Sequence, residues 1–318
     1  MADLNYIDIG IINNMPDAAL QTTERQFLSL IEKAAGRTPV RVQFYALPGV
    51  ERSDSARRHI ANYESVESLW DRSLDGIIVT GAEPRAANLK LEPYWPALAK
   101  LVDWAKNNTT SAIWSCLAAH AAVLHLAGVQ RRLLTEKRFG VYTCTVARDH
   151  ALMAGVPAEF AMPHSRWNDL DERALKSAGY SILMRSVGAD VFVKHGRSLF
   201  LFIQGHPEYE AETLMLEYRR DVRQFLAGES ESYPNLPYEY VHAEAQAELT
   251  AFRERALTHR SESVMREFPK ISPMTNTWQP GAVHIYRNWF AYLAQHKNRK
   301  PALVAKENYY SLETDDTP

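Results

Sequence analysis

Through the first half of the chain, short apolar runs alternate with stretches whose apolar residues recur at helical spacing. Residues 6–12 predict an apolar-rich strand that ends in the polar turn Asn13-Asn14-Met15-Pro16-Asp17. Phe27, Leu28, Leu30 and Ile31 predict a helix, and Thr23 with Gln26 predicts a capping box at its start. Residues 40–46 read as a strand, Val66, Leu69, Trp70 and Leu74 as a short amphipathic helix, and 76–80 (GIIVT) as a buried strand. A helix over 95–106 and a strand over 112–115 follow, then a helix over 117–126 stopped by Gly128. This β-α-β-α rhythm implies right-handed crossovers and a parallel sheet covered on both faces. Ligand sites in such sheets gather at the carboxyl ends of the strands.

From Phe139 the pattern becomes strand-rich, with strands expected over 140–147, 159–162, 180–185, 191–195 and 198–204. A helix over 211–227 follows, then a loop over 229–240 that holds Pro234 and Pro237. Helices over 243–260 and 282–296 and a disordered end over 311–318 complete the expectation. The fold class is α/β, a parallel or mixed sheet flanked by helices. Residues 1–228 form the catalytic unit, and 229–318 a loop and helical extension packed on it.

Composition narrows the function. The chain of 318 residues is 46% hydrophobic, ample for a large core, and 36 Lys+Arg against 38 Asp+Glu give a formal charge of −2. That balance offers no electrostatic footprint for nucleic acid or an anionic membrane. Charged residues interrupt every apolar stretch before the roughly 20 residues needed to span a bilayer. The opening MADLNYIDIGII reads as a strand rather than a secretion signal. Two cysteines, Cys116 and Cys144, are too few for a disulfide scaffold and point to a reducing cytoplasm.

Cys116 follows the strand Ile113-Trp114-Ser115 and precedes a helix. The first N–H groups of a helix favour a thiolate and can hold a developing oxyanion. A buried apolar filler is the competing reading of an isolated cysteine, and the Gly-x-nucleophile-x-Gly signature is absent. A nucleophile needs a base and an orienting group. In "LFLFIQGHPEYE" a strand runs into Gly205-His206-Pro207-Glu208, which puts His206 at another strand end with a carboxylate two residues on. Cys116, His206 and Glu208 thus make a candidate triad for acyl transfer. Cys144 reads as structural, and the histidines form no metal-ligand set with a second cysteine or an acidic pair.

These residues, with "IGIINNMPDAALQTTERQF", "DGIIVTGAEP", "LTEKRFGVY", "MPHSRW" and "EYRRD" in the same order, resemble the homoserine O-acyltransferases of methionine biosynthesis. That family has succinyl and acetyl branches and shares the fold of class I glutamine amidotransferases. The likeness runs from Ile9 to Asp221 and returns near the C-terminus. It implies a ping-pong reaction in which Cys116 takes the acyl group from acyl-CoA as a thioester. His206, oriented by Glu208, then activates the homoserine hydroxyl. It also implies substrate contacts at Lys137, Ser165 and Arg220, acyl-CoA as co-substrate with no bound cofactor or metal, and a homodimer. An arginine suits a carboxylate through a bidentate contact, and Glu217 is spaced to pair with Arg220 on a helix face.

The chain departs from the family pattern in three places. Leu117-Ala118-Ala119-His120-Ala121-Ala122 replaces Trp-Gly-Ala-Gln-Ala-Gly after the cysteine, with His120 read as packing or a substrate contact. Arg85, counted without gaps from Cys116, stands where glycine accompanies succinyl and glutamate accompanies acetyl donors. A cation there is expected to pair with a succinyl carboxylate. Gln279-Pro280-Gly281 replaces the family's Arg-Ser-His after Trp278, which leaves another acceptor such as serine open. The competing classes are an acetyl donor, a glutaminase or amidotransferase with the same triad, and a non-catalytic binding module of the same fold.

Overall fold

The computed structural model describes residues 6–271 and 275–297, and the expected disorder over 311–318 lies outside them. The elements run β1 (Ile7–Ile12), α1 (Leu20–Ala35), β2 (Val40–Tyr45), α2 (Asp54–Ile60), α3 (Val66–Trp70), β3 (Leu74–Val79) and α4 (Trp95–Asn108). Next come β4 (Thr109–Ser115), α5 (Leu117–Ala127), β5 (Arg131–Val146), β6 (Glu159–Leu170), α6 (Glu172–Ser177), β7 (Ser181–Arg185), β8 (Ala189–Lys194) and β9 (Leu199–Ile203). Helices α7 (Thr213–Leu226), α8 (Ala243–Thr258) and α9 (Gln279–His296) close the described chain.

One nine-stranded sheet has the order β2-β1-β3-β4-β9-β8-β7-β5-β6. Its first five strands pair in parallel and the remaining pairs are antiparallel, so the sheet is mixed. Every residue of β3 (LDGIIV) and of β9 (LFLFI) is buried, as central strands covered on both faces require. Alternate residues serve the two faces. Ala112, Trp114, Phe200 and Phe202 pack with Leu98 and Leu101 of α4 and with the alanines of α5. Ile113, Leu201 and Ile203 pack with Phe27 and Ile31 of α1 and with Ile285, Trp289 and Leu293 of α9. A third apolar cluster joins Phe139 and Val141 of β5 to Leu214, Tyr218 and Val222 of α7, to Leu249 and Phe252 of α8, and to Trp278.

Several local expectations change. Helix α1 starts at Leu20 with no side-chain cap, so Thr23 and Gln26 lie inside it rather than at its boundary. Both are buried, and Gln26 instead donates to the Thr213 hydroxyl of α7 (2.8 Å). Helix α2 has no apolar stripe to announce it, since only Ala56 is buried; the Ser53 side chain caps it by accepting from the Ala56 amide. Strands β5 and β6 run longer than their apolar patterns, because they pair with each other across a register shift between Leu133 and Arg138. Lys137 and the "MPHSRW" segment therefore lie on strands. No helix of the described residues is long and apolar enough to cross a membrane.

Helix α9 lies against the sheet where β3 has no side chain. A Cβ at Gly76 would stand 2.6 Å from Cζ2 and 2.9 Å from Cη2 of Trp289, whose indole is held by Ser111 Oγ (2.9 Å). Gly76→Ala is therefore expected to destabilise the fold by about 1–3 kcal/mol through overpacking. The measurement is the urea midpoint at unchanged slope; an unmoved midpoint would mean that α9 is not seated on β3 as described.

Candidate active site

Cys116 is the hinge between β4 and α5. Its backbone takes φ 51° and ψ −115°, a conformation that non-glycine residues adopt only where the surroundings hold them in it. One restraint is the Cys116 amide, which donates to the Ile203 carbonyl of β9 (2.8 Å). Ala118, Ala119 and Ala122 are buried and let α5 lie close to the sheet. The loop after β3 closes on the same elbow, where a Cβ at Gly81 would stand 3.3 Å from the Leu117 nitrogen.

His206 comes from the end of the neighbouring strand, since β9 pairs in parallel with β4 and Ser115 lies opposite Ile203. The His206 amide donates to the Pro163 carbonyl of β6 (2.8 Å), and its ring stacks on Tyr209 at 4.2 Å. Its Nδ1 bonds Glu208 Oε1 (2.8 Å), which leaves Nε2 for the Cys116 sulfur. Both His206 and Glu208 are buried. Burial opposes a charged imidazole, but the charges of Cys116 and Glu208, and hydrogen bonds to both, outweigh it. The imidazole is raised well above its ordinary range and holds its proton. The turn that carries it is pinned from the C-terminal side, where Trp278 Nε1 (2.8 Å) and Asn276 Nδ2 (3.1 Å) donate to the Tyr209 carbonyl.

A cavity of about 260 Å3 opens at this carboxyl edge, and Cys116 and His206 share its wall with Lys137, Ser165 and Arg220. Glu217 and Asp221 on α7 organise these three. Tyr209 and Ser165 donate to Glu217, and Lys137 donates to Asp221 (2.8 Å) and stands 4.0 Å from Glu217. Arg220 bonds Asp221 through Nε (2.9 Å) and Nη2 (2.7 Å), so the expected Glu217–Arg220 pair is replaced by a bond to its chain neighbour. Sequence spacing does not reveal this role of Glu217, because its partners come from β6 and from the turn after β9. Glu83 and Arg131 also line the cavity and carry no distinctive motif.

Arg85 is not brought to the cavity. Its guanidinium pairs with Glu51 on the outer surface, and the side chain is 77% exposed. The loop turns it outward because the buried Glu92 carboxylate accepts from the Arg85 and Ala86 amides. His120 is both packed and cavity-lining. Its Nε2 donates to Gln204 Oε1 (2.6 Å), since the Gln204 amide nitrogen is committed to Asp169 and the Ala189 carbonyl. Burial pulls the His120 pKa down to about 4, so the ring is neutral near pH 7. Gln279, Pro280 and Gly281 open α9 and do not line the cavity.

Beneath the site, Cys144, His164 and Asp190 bring ligand atoms within 4.8 Å of one another. Arg166 reaches Asp190 and Asp169 (3.3 Å each), and Arg138 lies 3.8 Å from Asp190. Two guanidinium groups already occupy the cationic role there. Burial, then Arg166 and Arg138, push His164 well below its ordinary range, and burial with the Asp190 charge pushes the Cys144 thiol up. The cluster is a buried ion-pair network, joined to the cavity through Gln204 and His120.

Known proteins resemble this chain over most of its length. A family model described as homoserine O-succinyltransferase matches residues 1–299. The chain is 45% identical over 299 residues to a homoserine O-succinyltransferase of Rhodopseudomonas palustris, covering 92% of this chain and 90% of that one. It is 46% identical over 289 residues to one of Methylorubrum extorquens, covering 89% and 86%. A glutamine amidotransferase of Methylobacillus flagellatus superposes with a TM-score of 0.51 at 12% identity, over 91% of this chain and 96% of that one, which shows a shared fold. The chain belongs to the homoserine O-succinyltransferase family, acyltransferases built on a glutamine amidotransferase-like fold.

Proposed function

We propose that this chain moves a succinyl group from succinyl-CoA to the hydroxyl of homoserine through a thioester on Cys116. The observation that carries the reading is the meeting of Cys116, His206 and Glu208 at adjacent strand ends, with Cys116 and His206 in one cavity with an arginine suited to an amino-acid carboxylate. Family membership supports the choice of donor and acceptor.

The steps balance with side chains and co-substrates alone. The Cys116 thiolate attacks the thioester carbonyl of succinyl-CoA while the His206 imidazolium holds the proton. Charge develops on the carbonyl oxygen beside the first turn of α5, where the Leu117 amide has no backbone acceptor among the described residues. The tetrahedral centre collapses, the C–S bond to CoA breaks, and His206 gives its proton to the departing sulfur. The neutral imidazole, made strongly basic by Glu208, takes the proton of the homoserine hydroxyl as the oxygen attacks the enzyme thioester. Cys116 leaves as thiolate and the ion pair is restored. Arg220 holds the homoserine carboxylate, with Ser165 and Lys137 beside it. The reading includes a cytoplasmic setting that keeps the thiol reduced, and the homodimer that the family resemblance implies.

Intact-mass spectrometry tests the covalent step. Mixing with succinyl-CoA is expected to add the mass of one succinyl group to the wild type and none to Cys116→Ala. Homoserine should discharge the adduct and serine should not; a wild type that stays unmodified would sink the mechanism.

The two half-reactions respond to different residues. Arg220→Ala should leave adduct formation in place and lower kcat/KM for homoserine about 10- to 100-fold, the worth of a charge-assisted bond. An equal loss in both half-reactions would remove Arg220 from the acceptor site.

Glu208→Gln keeps the side-chain shape and removes one of the charges that raise His206. The imidazolium then loses its proton at lower pH, so the alkaline limb of kcat/KM for succinyl-CoA should move to lower pH. The rate should also fall by on the order of 100-fold. A limb that stays in place would show that Glu208 does not set the protonation of His206.

A further inference from the structure

Resting on the reading above, we infer that Arg131, at the start of β5, receives the terminal carboxylate of the succinyl group and so selects the acyl donor. Four fixed cations line the cavity: Arg131, Lys137, Arg166 and Arg220. Three of them already have carboxylate partners, and of these Arg220 is assigned above to the acceptor. Lys137 and Arg220 bond Asp221 on α7, and Arg166 lies between Asp169 and Asp190. Arg131 has no carboxylate within ion-pair distance among the described residues. Its Nη2 donates to the Ala86 and Ala87 carbonyls (3.3 and 3.2 Å), which leaves the N–H groups at Nη1 and Nε without a protein acceptor there.

The guanidinium is held in place rather than floating. Glu92 fixes the turn by accepting from the Arg85 and Ala86 amides, and that turn presents the two carbonyls that grip Nη2. Arg131 is half-buried, and burial works against its charge, with Tyr94 and Glu92 supporting it from a distance. A partly desolvated, preorganised and unpaired guanidinium matches the chemistry of a carboxylate that arrives with a substrate.

Asp221 stands against both Lys137 (2.8 Å) and Arg220 (2.7 Å), whereas Arg131 has no carboxylate within ion-pair distance among the described residues. Succinyl-CoA has one charged group beyond its thioester, and Arg131 is the cation free to meet it.

The test is donor selectivity, the ratio of kcat/KM for succinyl-CoA to that for butyryl-CoA, which has the same chain length and no carboxylate. Arg131→Gln should lower this ratio about 10- to 100-fold, and Arg131→Lys, which keeps the charge, should retain most of it. A general loss of folding lowers both donors together and leaves the ratio in place. If Arg131→Gln folds too poorly to assay, Arg131→Met, uncharged and with a long stem, takes its place with the same expected fall in the ratio. Arg85→Gln, on the outward side of the same loop, should keep the wild-type ratio. A ratio unchanged in Arg131→Gln, or one that collapses in Arg85→Gln instead, also overturns the inference. A wild type that takes no acyl group from succinyl-CoA would overturn the proposed function itself, and is read separately from the ratio.

Discussion

The parallel pairing of β4 with β9 is the constraint on which the site depends. These strands are distant in the chain, and their register sets Ser115 opposite Ile203. That register brings one strand end into the Cys116 elbow and the other into the turn with His206 and Glu208. The bond from the Cys116 amide to the Ile203 carbonyl extends the ladder one residue past β4 and into the strained backbone of the proposed nucleophile. A slip by one residue would turn Trp114 and Phe202 toward the wrong face and break the bond at once. Burial of the two central strands therefore holds Cys116 and His206 in place, and core stability and site geometry rest on the same contacts.

Support for His206 arrives from elements that the parallel half of the sheet does not contain. Pro163 of β6 takes its amide, Glu208 fixes its tautomer, and Trp278 and Asn276 anchor the turn from beyond α8. Below, Arg138 of β5, Arg166 and Asp169 of β6 and Asp190 of β8 hold the antiparallel half together through buried charges. Removing such charges from water is costly, and they are kept only where each has partners. The parallel strands supply the proposed nucleophile and base, and contacts from the antiparallel strands and the C-terminal segment fix the turn that carries His206.

What was legible in the sequence follows from locality. The β-α-β-α rhythm, the helix after Cys116 and the proximity of His206 to Glu208 are all written within a few residues, where periodicity and spacing act. The carriers of Lys137, Ser165 and Arg220 were found through motif order, which spans the chain but says nothing of their partners. The capping box at Thr23 failed because Gln26 is spent on Thr213, a contact made by folding rather than by neighbours in sequence. Helix α2 escaped because it buries little. A parallel or mixed sheet was expected, and hydrophobic patterns, which do not carry strand direction, left open which strands turn antiparallel. Arg85 illustrates the same limit, since counting along a loop gives a position and not the side to which it turns. Glu92, several residues away, decides that.

Both substrates of the proposed reaction bring a carboxylate to one small cavity, so charge alone would let either occupy the other's place. The acceptor differs in carrying an ammonium group beside its carboxylate. Glu83 lines the same cavity as Arg220, so a zwitterion finds both signs of charge there, whereas a second anion meets a carboxylate. Beside Arg131 an ammonium would meet a guanidinium with no carboxylate within ion-pair distance among the described residues, and would be repelled. In the proposed arrangement, charges of both signs near the acceptor and a lone cation for the donor would separate a zwitterion from an anion. A ping-pong enzyme needs this separation, because its acyl-enzyme waits with the acceptor pocket empty and must not fill it with a second donor.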